Sequence, residues 1–239
     1  MALTDGVFTR WLERIGAPTK STDLASLTAA SPAKIRAQRI RSRVSYATVV
    51  SVSRALTRRP VDDLASFQGL ESLKNDPHPD AREVLSQLQT EDVLVEILKR
   101  RRAELSHTLG GYALQSFPFA ESTRYWLNAI DSAGSLRRHV AEATGTDVTN
   151  LSRAIRNNGL SVEQCIAAAV HCSASARTGL LVSGILTPQE AGWSRYEREN
   201  ALLACSDREL LDLAEERHKT LRRAVNEAED EKQFWNTLG

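Results

Sequence analysis

Cysteine is scarce in this chain, with Cys165, Cys172 and Cys205 the only three among 239 residues. An odd count without paired short spacings excludes a disulfide framework. It fits buried thiols in a reducing cytoplasm, so a cytoplasmic location is expected. Glycine (12) and proline (7) are also sparse, against abundant Ala, Leu, Arg, Glu and Ser, which disfavours a turn-rich β fold and favours helix. No apolar run approaches the roughly 20 residues that span a bilayer. The N-terminal MALTDGVFTRWLERIG lacks the basic region and apolar stretch of a signal peptide, so no membrane partner is expected. There is no Gly-rich phosphate loop, no metal-ligand cluster and no nucleophile motif, so neither an enzyme nor a cofactor is expected. His171-Cys172, with Cys165 upstream, invites a metal reading. The missing fourth ligand and absent paired-Cys spacing favour ordinary buried thiols on a helix.

What the chain does have is charge concentrated in one place. Its formal net charge is only +1. Yet Lys34, Arg36, Arg39, Arg41, Arg43, Arg54, Arg58 and Arg59 all fall between Ser31 and Pro60, a window without Asp or Glu. A strongly basic patch on a nearly neutral protein is the electrostatic footprint of a nucleic-acid face. Residues 187–239 are the opposite, with twelve acidic side chains against eight Lys or Arg, and read as a packing or partner surface.

Helical spacing recurs along the chain. Val7, Phe8, Trp11, Leu12 and Ile15 predict a first helix that ends at Gly16-Ala17-Pro18. Ser21 or Thr22 caps a short second helix. Ser31-Pro32 opens a third, with Ser at the N-cap and Pro at the first helical position. Ser45-Tyr46 opens a fourth and Pro60 a fifth. The two prolines of 74–81 mark a boundary, and Gly110-Gly111 with Phe117-Pro118-Phe119 marks another. A weak repeat at an offset near 115–116 aligns Trp11-Leu12 with Trp126-Leu127, Leu24-Ala25 with Val140-Ala141, Ser31 with Asp147, Ile35 with Leu151 and Ser45 with Ser161.

The segment Thr22-Asp23-Leu24-Ala25-Ser26-Leu27-Thr28-Ala29-Ala30-Ser31-Pro32-Ala33-Lys34-Ile35 resembles the XRE, or lambda-repressor-like, helix-turn-helix family. Leu-Ala sits in the second helix, a small residue at the turn, and Ser-x-x-x-Ile opens the recognition helix. The resemblance covers residues 8–67 and, more loosely, 123–178. One departure is the run Arg39-Ile40-Arg41-Ser42-Arg43, where the family has an acidic residue and Gly; it predicts a longer recognition helix or a different exit loop.

The resemblance implies two helix-turn-helix bundles; outside it, at 74–118 and 187–239, the residue pattern predicts a helical linker and a C-terminal helical segment, so the expected fold is all-α. The expected divisions are 1–73, 74–118, 119–186 and 187–239. The resemblance further implies a transcriptional regulator that binds double-stranded DNA, such as a phage or prophage immunity repressor acting by operator occupancy. A homodimer through the C-terminal helices is a second expected partner. The rival readings are a helical protein-interaction module, such as an antirepressor or antitoxin, and a DNA-processing accessory factor.

A recognition helix meets base edges and phosphates in a major groove about 12 Å wide. With Ile35 inward, Ala33, Lys34, Ala37 and Gln38 are candidates for that contact, together with Ser31 at the helix start. Gln38 suits adenine, and Arg or Lys suits guanine. Arg36, Arg39, Arg41 and Arg43 divide between bases and phosphates, while Ser21 and Thr22 offer donors to a phosphate. In the second unit Thr149, Asn150, Ser152, Arg153 and Arg156 take the corresponding positions. For each cluster the alternative is a solvated helix face.

Overall fold

Polar caps divide this chain into short helices. The Thr4 hydroxyl accepts the Val7 N–H (3.4 Å), and the Ser45 hydroxyl accepts that of Thr48 (3.4 Å). Asp80 with Glu83 and Ser161 with Gln164 form reciprocal capping boxes. In the computed structural model, which describes residues 3–28 and 30–238, the helices in chain order are α1 (Asp5–Arg14), α2 (Ser21–Thr28), α3 (Pro32–Ile40), α4 (Tyr46–Ala55), α5 (Pro60–Leu64), α6 (Ala81–Leu85), α7 (Thr90–Arg101), α8 (Ala103–Leu109), α9 (Ser122–Ile130), α10 (Leu136–Thr144), α11 (Val148–Arg156), α12 (Val162–Cys172), α13 (Ala176–Val182), α14 (Glu197–Ala204) and α15 (Asp207–Leu238). A 3-10 turn at Glu71–Asn75 precedes α6. Extended pairing among the described residues is one bridge, Leu3 with Val44, so the fold class is all-α. No helix among the described residues is long and apolar enough to cross a membrane.

The repeat seen in the sequence recurs in the backbone. α1–α5 and α9–α13 follow the same order. Three positions separate α2 from α3 and three separate α10 from α11; five separate α3 from α4 and five separate α11 from α12. Ser42 (φ 48) and Asn158 (φ 49) are both left-handed, 116 positions apart, and so are Thr57 (φ 55) and Ser173 (φ 53). Non-glycine residues rarely adopt this conformation, so its recurrence at one offset marks the two runs as equivalent chain paths. Their cores correspond as well. Trp11, Leu12, Leu24, Ile35, Val49 and Leu64 are buried in the first run, and Trp126, Leu127, Val140, Leu151, Cys165 and Leu180 in the second.

The compact units cut across the four divisions expected from the sequence. The chain up to Ser86 packs with Pro118–Arg195 as one unit, and Gln87–Phe117 packs with the chain from Tyr196 onward as another. Side chains distant in sequence tie the first unit together. The Asp76 carboxylate accepts the Ser175 hydroxyl (2.7 Å) and the N–H groups of Ala176 (2.9 Å) and Arg177 (3.0 Å). The Arg177 guanidinium returns to the Leu73 carbonyl. Glu83, almost fully buried, accepts Trp126 Nε1–H (2.9 Å) and the Ser175 N–H (3.1 Å). Burial holds the Glu83 carboxyl above its ordinary pKa, and these donors pull the other way. Arg54 forks onto Glu190 (2.7 and 2.6 Å) and donates to the Ile185 carbonyl (2.9 Å).

In the second unit Arg100 closes the end of α14. It donates to the carbonyls of Leu202 (3.1 Å) and Cys205 (2.7 Å) and pairs with Glu96 (2.8 Å). Arg198 reaches the carbonyls of Gln87 and Gln115 and lies over the Phe117 ring. Of the basic run Lys99–Arg102, Lys99 and Arg100 thus serve packing, with Lys99 over Tyr112, while Arg101 and Arg102 are exposed.

Candidate nucleic-acid interface

α3 owes its orientation to Ile35, which is 2% exposed. At 3.6 residues per turn, residues 38 and 39 share the inward side with residue 35, while 33, 37 and 40 lie opposite. The side chains obey this geometry. Arg39 donates from Nε to Asp5 (2.6 Å), from one terminal nitrogen to the Thr19 carbonyl, and from the other to the Thr9 hydroxyl (3.1 Å). Gln38 Oε1 accepts both the Ser45 N–H (3.2 Å) and the Thr48 hydroxyl (2.9 Å).

Two expected base readers are therefore positioning residues. A bidentate contact to adenine needs the Gln38 oxygen as an acceptor, and both of its lone pairs are already taken. The Arg39 guanidinium clamps α3 onto α1 and the α1–α2 connection. Helical spacing from Ile35 was the signal that distinguishes them: positions three and four residues on fall on the same face.

The same test sorts the eight cations of the basic window. Arg39 pairs with Asp5, Arg54 with Glu190, Arg58 with Asp63 (2.9 Å) and Arg59 with Asp62 (3.5 Å). Lys34, Arg36, Arg41 and Arg43 are exposed, and among the described residues none has a carboxylate within ion-pair distance. All four lie on α3 or on its exit. The helix ends at Ile40, with Arg41 as its C-cap and Ser42 turning left-handed, so the exit loop, not extra helix length, carries the last two arginines. Ala33 is exposed, Ala37 half-buried and Ile40 74% exposed.

The other N-terminal candidates sit at the periphery. Ser31 is the N-cap of α3, but its hydroxyl makes no cap hydrogen bond. Ser21 is half-buried. The Thr22 hydroxyl donates to Asp23 (3.0 Å), which sets an acid beside the proposed phosphate donors.

On α11 the corresponding face is open. Leu151 and Ile155 are buried, Thr149, Asn150, Arg153 and Arg156 exposed, and Ser152 half-buried. Arg153 donates to Asn150 Oδ1 (3.2 Å). Asp147 caps the helix through the N–H groups of Thr149 (2.8 Å) and Asn150 (3.3 Å); these donors, Asn150 first, hold its carboxyl below the usual range. The N-terminus of α11 therefore carries a carboxylate where that of α3 has a neutral Ser31. Nearby, Arg137 contacts Asn128, Arg138 pairs with Glu142, and His139 stacks on His171 at 3.9 Å.

The two exit loops share one groove within the first unit, with a volume of about 800 Å³. Ser42, Arg43 and Tyr46 line it from one half, and Gly159, Leu160 and Ser161 from the other. Burial and the nearby Glu163 push the Tyr46 phenol up to about 12. The cysteines contribute no reactive thiolate here: Cys165 is fully buried, and burial raises its thiol to about 12. Among the described residues no group of three His, Cys, Asp or Glu side chains is placed to hold a metal.

Comparison with family models, curated proteins and solved structures gives no match to the chain.

Proposed function

We propose that this protein is a sequence-specific double-stranded-DNA-binding transcriptional regulator of the phage or prophage repressor kind, acting by occupying its operator. One observation carries the reading. Once the cations that have a carboxylate partner are set aside, the four left in the basic window all cluster on the outer side of α3 and its exit. Exposed cations also occur elsewhere, Arg10, Lys20 and Arg101 among them, but these four share one helix and its exit, and a helix lying in a major groove needs phosphate partners at its edges.

The repeated chain path supports a second reader, α11, on the same compact unit. Asn150 and Arg153 are its candidates for adenine and guanine. Two unequal readers on one chain favour an operator with two different half-sites over a palindrome. Selection of bound duplexes from a random pool, followed by footprinting, tests this. A protected site with two separate half-sites is expected. Recovery of no preferred sequence refutes regulation by operator reading. An unchanged footprint for Asn150→Ala with Arg153→Ala refutes base reading by α11.

The second unit favours an additional role in protein contact. Leu203 of α14 and Leu211, Leu221 and Val225 of α15 are 66%, 49%, 51% and 46% exposed. Pairing with a second copy is part of this proposal, and light scattering tests it: concentration-dependent mass is expected, lost on Leu221→Glu with Val225→Glu.

A further inference from the structure

The outer faces of the two candidate readers differ in chemistry. Opposite Ile35, α3 presents Ala33, Ala37 and Ile40, and Ile40 is the most exposed large apolar side chain among the described residues, at 74%. Lys34 and Arg36 flank that strip, and Arg41 and Arg43 follow it. The equivalent positions of α11, 116 residues on, are Thr149, Arg153 and Arg156. One face is therefore an apolar strip edged by unpaired cations, and the other is polar along its middle.

An apolar strip bordered by cations fits a partner that is anionic outside and locally apolar inside. In a major groove the apolar group displayed by the bases is the C5-methyl of thymine, with phosphates on either side. The dimensions agree. Ala33 to Ile40 is seven residues of helix, about 10 Å at 1.5 Å per residue, which is roughly three base-pair steps of 3.4 Å. The small Ala33 and Ala37 allow close approach, and Ile40 supplies area at the helix end.

Resting on the DNA-binding reading above, we propose that α3 selects its half-site by thymine methyl groups, touched by Ala33, Ala37 and Ile40. α11 selects its half-site by hydrogen bonds from Asn150 and Arg153. The operator is thus A·T-rich with ordered thymines under the N-terminal half and guanine-containing under the other.

The test uses the full chain and the duplex recovered by selection, with each thymine replaced in turn by deoxyuridine, which removes only the methyl group. Each contacted methyl should be worth roughly fourfold in affinity, the value of one buried methylene-sized group. The losses should be confined to one half-site. Ile40→Ser is the companion variant; at 74% exposure the side chain is not needed for folding, and an unchanged thermal melt verifies that. This variant should bind the thymine duplex more weakly and lose its response to deoxyuridine at one position, so that the two changes are not additive. If every deoxyuridine duplex binds as tightly as its parent while site-specific binding persists, methyl reading is wrong and DNA reading stands. If Ile40→Ser keeps both full affinity and full deoxyuridine sensitivity, Ile40 is not a reader. If no duplex is preferred in the selection, the DNA-binding reading itself fails.

Discussion

The sharpest quantitative consequence of the fold concerns salt. Each phosphate neutralised on B-form DNA lowers the slope of log affinity against log salt by about 0.9. The sequence offers eight cations in the basic window, and taking all of them gives a slope near −7. The structure leaves four: Lys34, Arg36, Arg41 and Arg43. The slope attributable to this window is then about −3.6, and affinity through it falls roughly 150-fold between 50 and 200 mM salt. Fluorescence anisotropy of a labelled duplex over that range measures it. Arg41→Gln and Arg43→Gln should each reduce the magnitude of the slope by about 0.9 and weaken binding to all sequences alike. Arg58→Gln, whose guanidinium is committed to Asp63, should leave the slope unchanged. Equal slope losses from Arg58→Gln and Arg41→Gln would refute the sorting of cations by their internal partners, and with it the assignment of the interface to α3.

Four further outcomes follow from particular contacts. Gln38→Ala strands the Ser45 N–H and Thr48 hydroxyl and should cost about 1 kcal/mol in urea unfolding, while the selected DNA consensus stays the same; a changed base would make Gln38 a reader after all. Gly179→Ala places a Cβ 2.5 Å from Trp126 Cη2, and this overpacking should cost about 1–3 kcal/mol, read as a lower Tm; an unchanged Tm would contradict the close packing of α13 on α9. Thr57 holds a β-branched side chain at φ 55 just beyond α4, so Thr57→Gly should stabilise by roughly 1 kcal/mol, checked by thermal unfolding. Burial raises Glu83 above its ordinary value of 4.5. Its contribution to stability is therefore complete below that value and declines as pH rises through the folded pKa. Glu83→Gln should flatten the profile over that window, and an unaltered slope in chemical unfolding across pH would exclude Glu83 as its source.

Much of the helical layout was legible in the chain. Ser31-Pro32, Ser45-Tyr46 and Pro60 each mark a true helix start, because an N-cap residue and proline at the first turn act locally. Trp11-Leu12 and Trp126-Leu127 take equivalent buried places, as their alignment predicts. The candidate site was legible only in part. Lys34 and Arg36 could be placed outward from Ile35 by helical spacing, and the same rule places Gln38 and Arg39 inward. That Arg39 meets Asp5, Thr9 and Thr19 was not legible, because those partners lie 20 to 34 residues away and are brought there by packing of α1.

Sequence by itself determined the class of fold, several helix starts and the repeat, since caps, periodicity and spacing are properties of neighbouring residues. Tertiary structure alone decided the grouping of the chain. Asp76 finds the start of α13 about a hundred residues on, and Arg100 finds the end of α14 at a similar distance. It also decided that Arg39 and Arg54 meet carboxylates far away in sequence, whereas Arg36, Arg41 and Arg43 meet none among the described residues. An arginine looks the same in sequence whether or not folding delivers an acid to it, and a buried or half-buried charge keeps its place only when folding does.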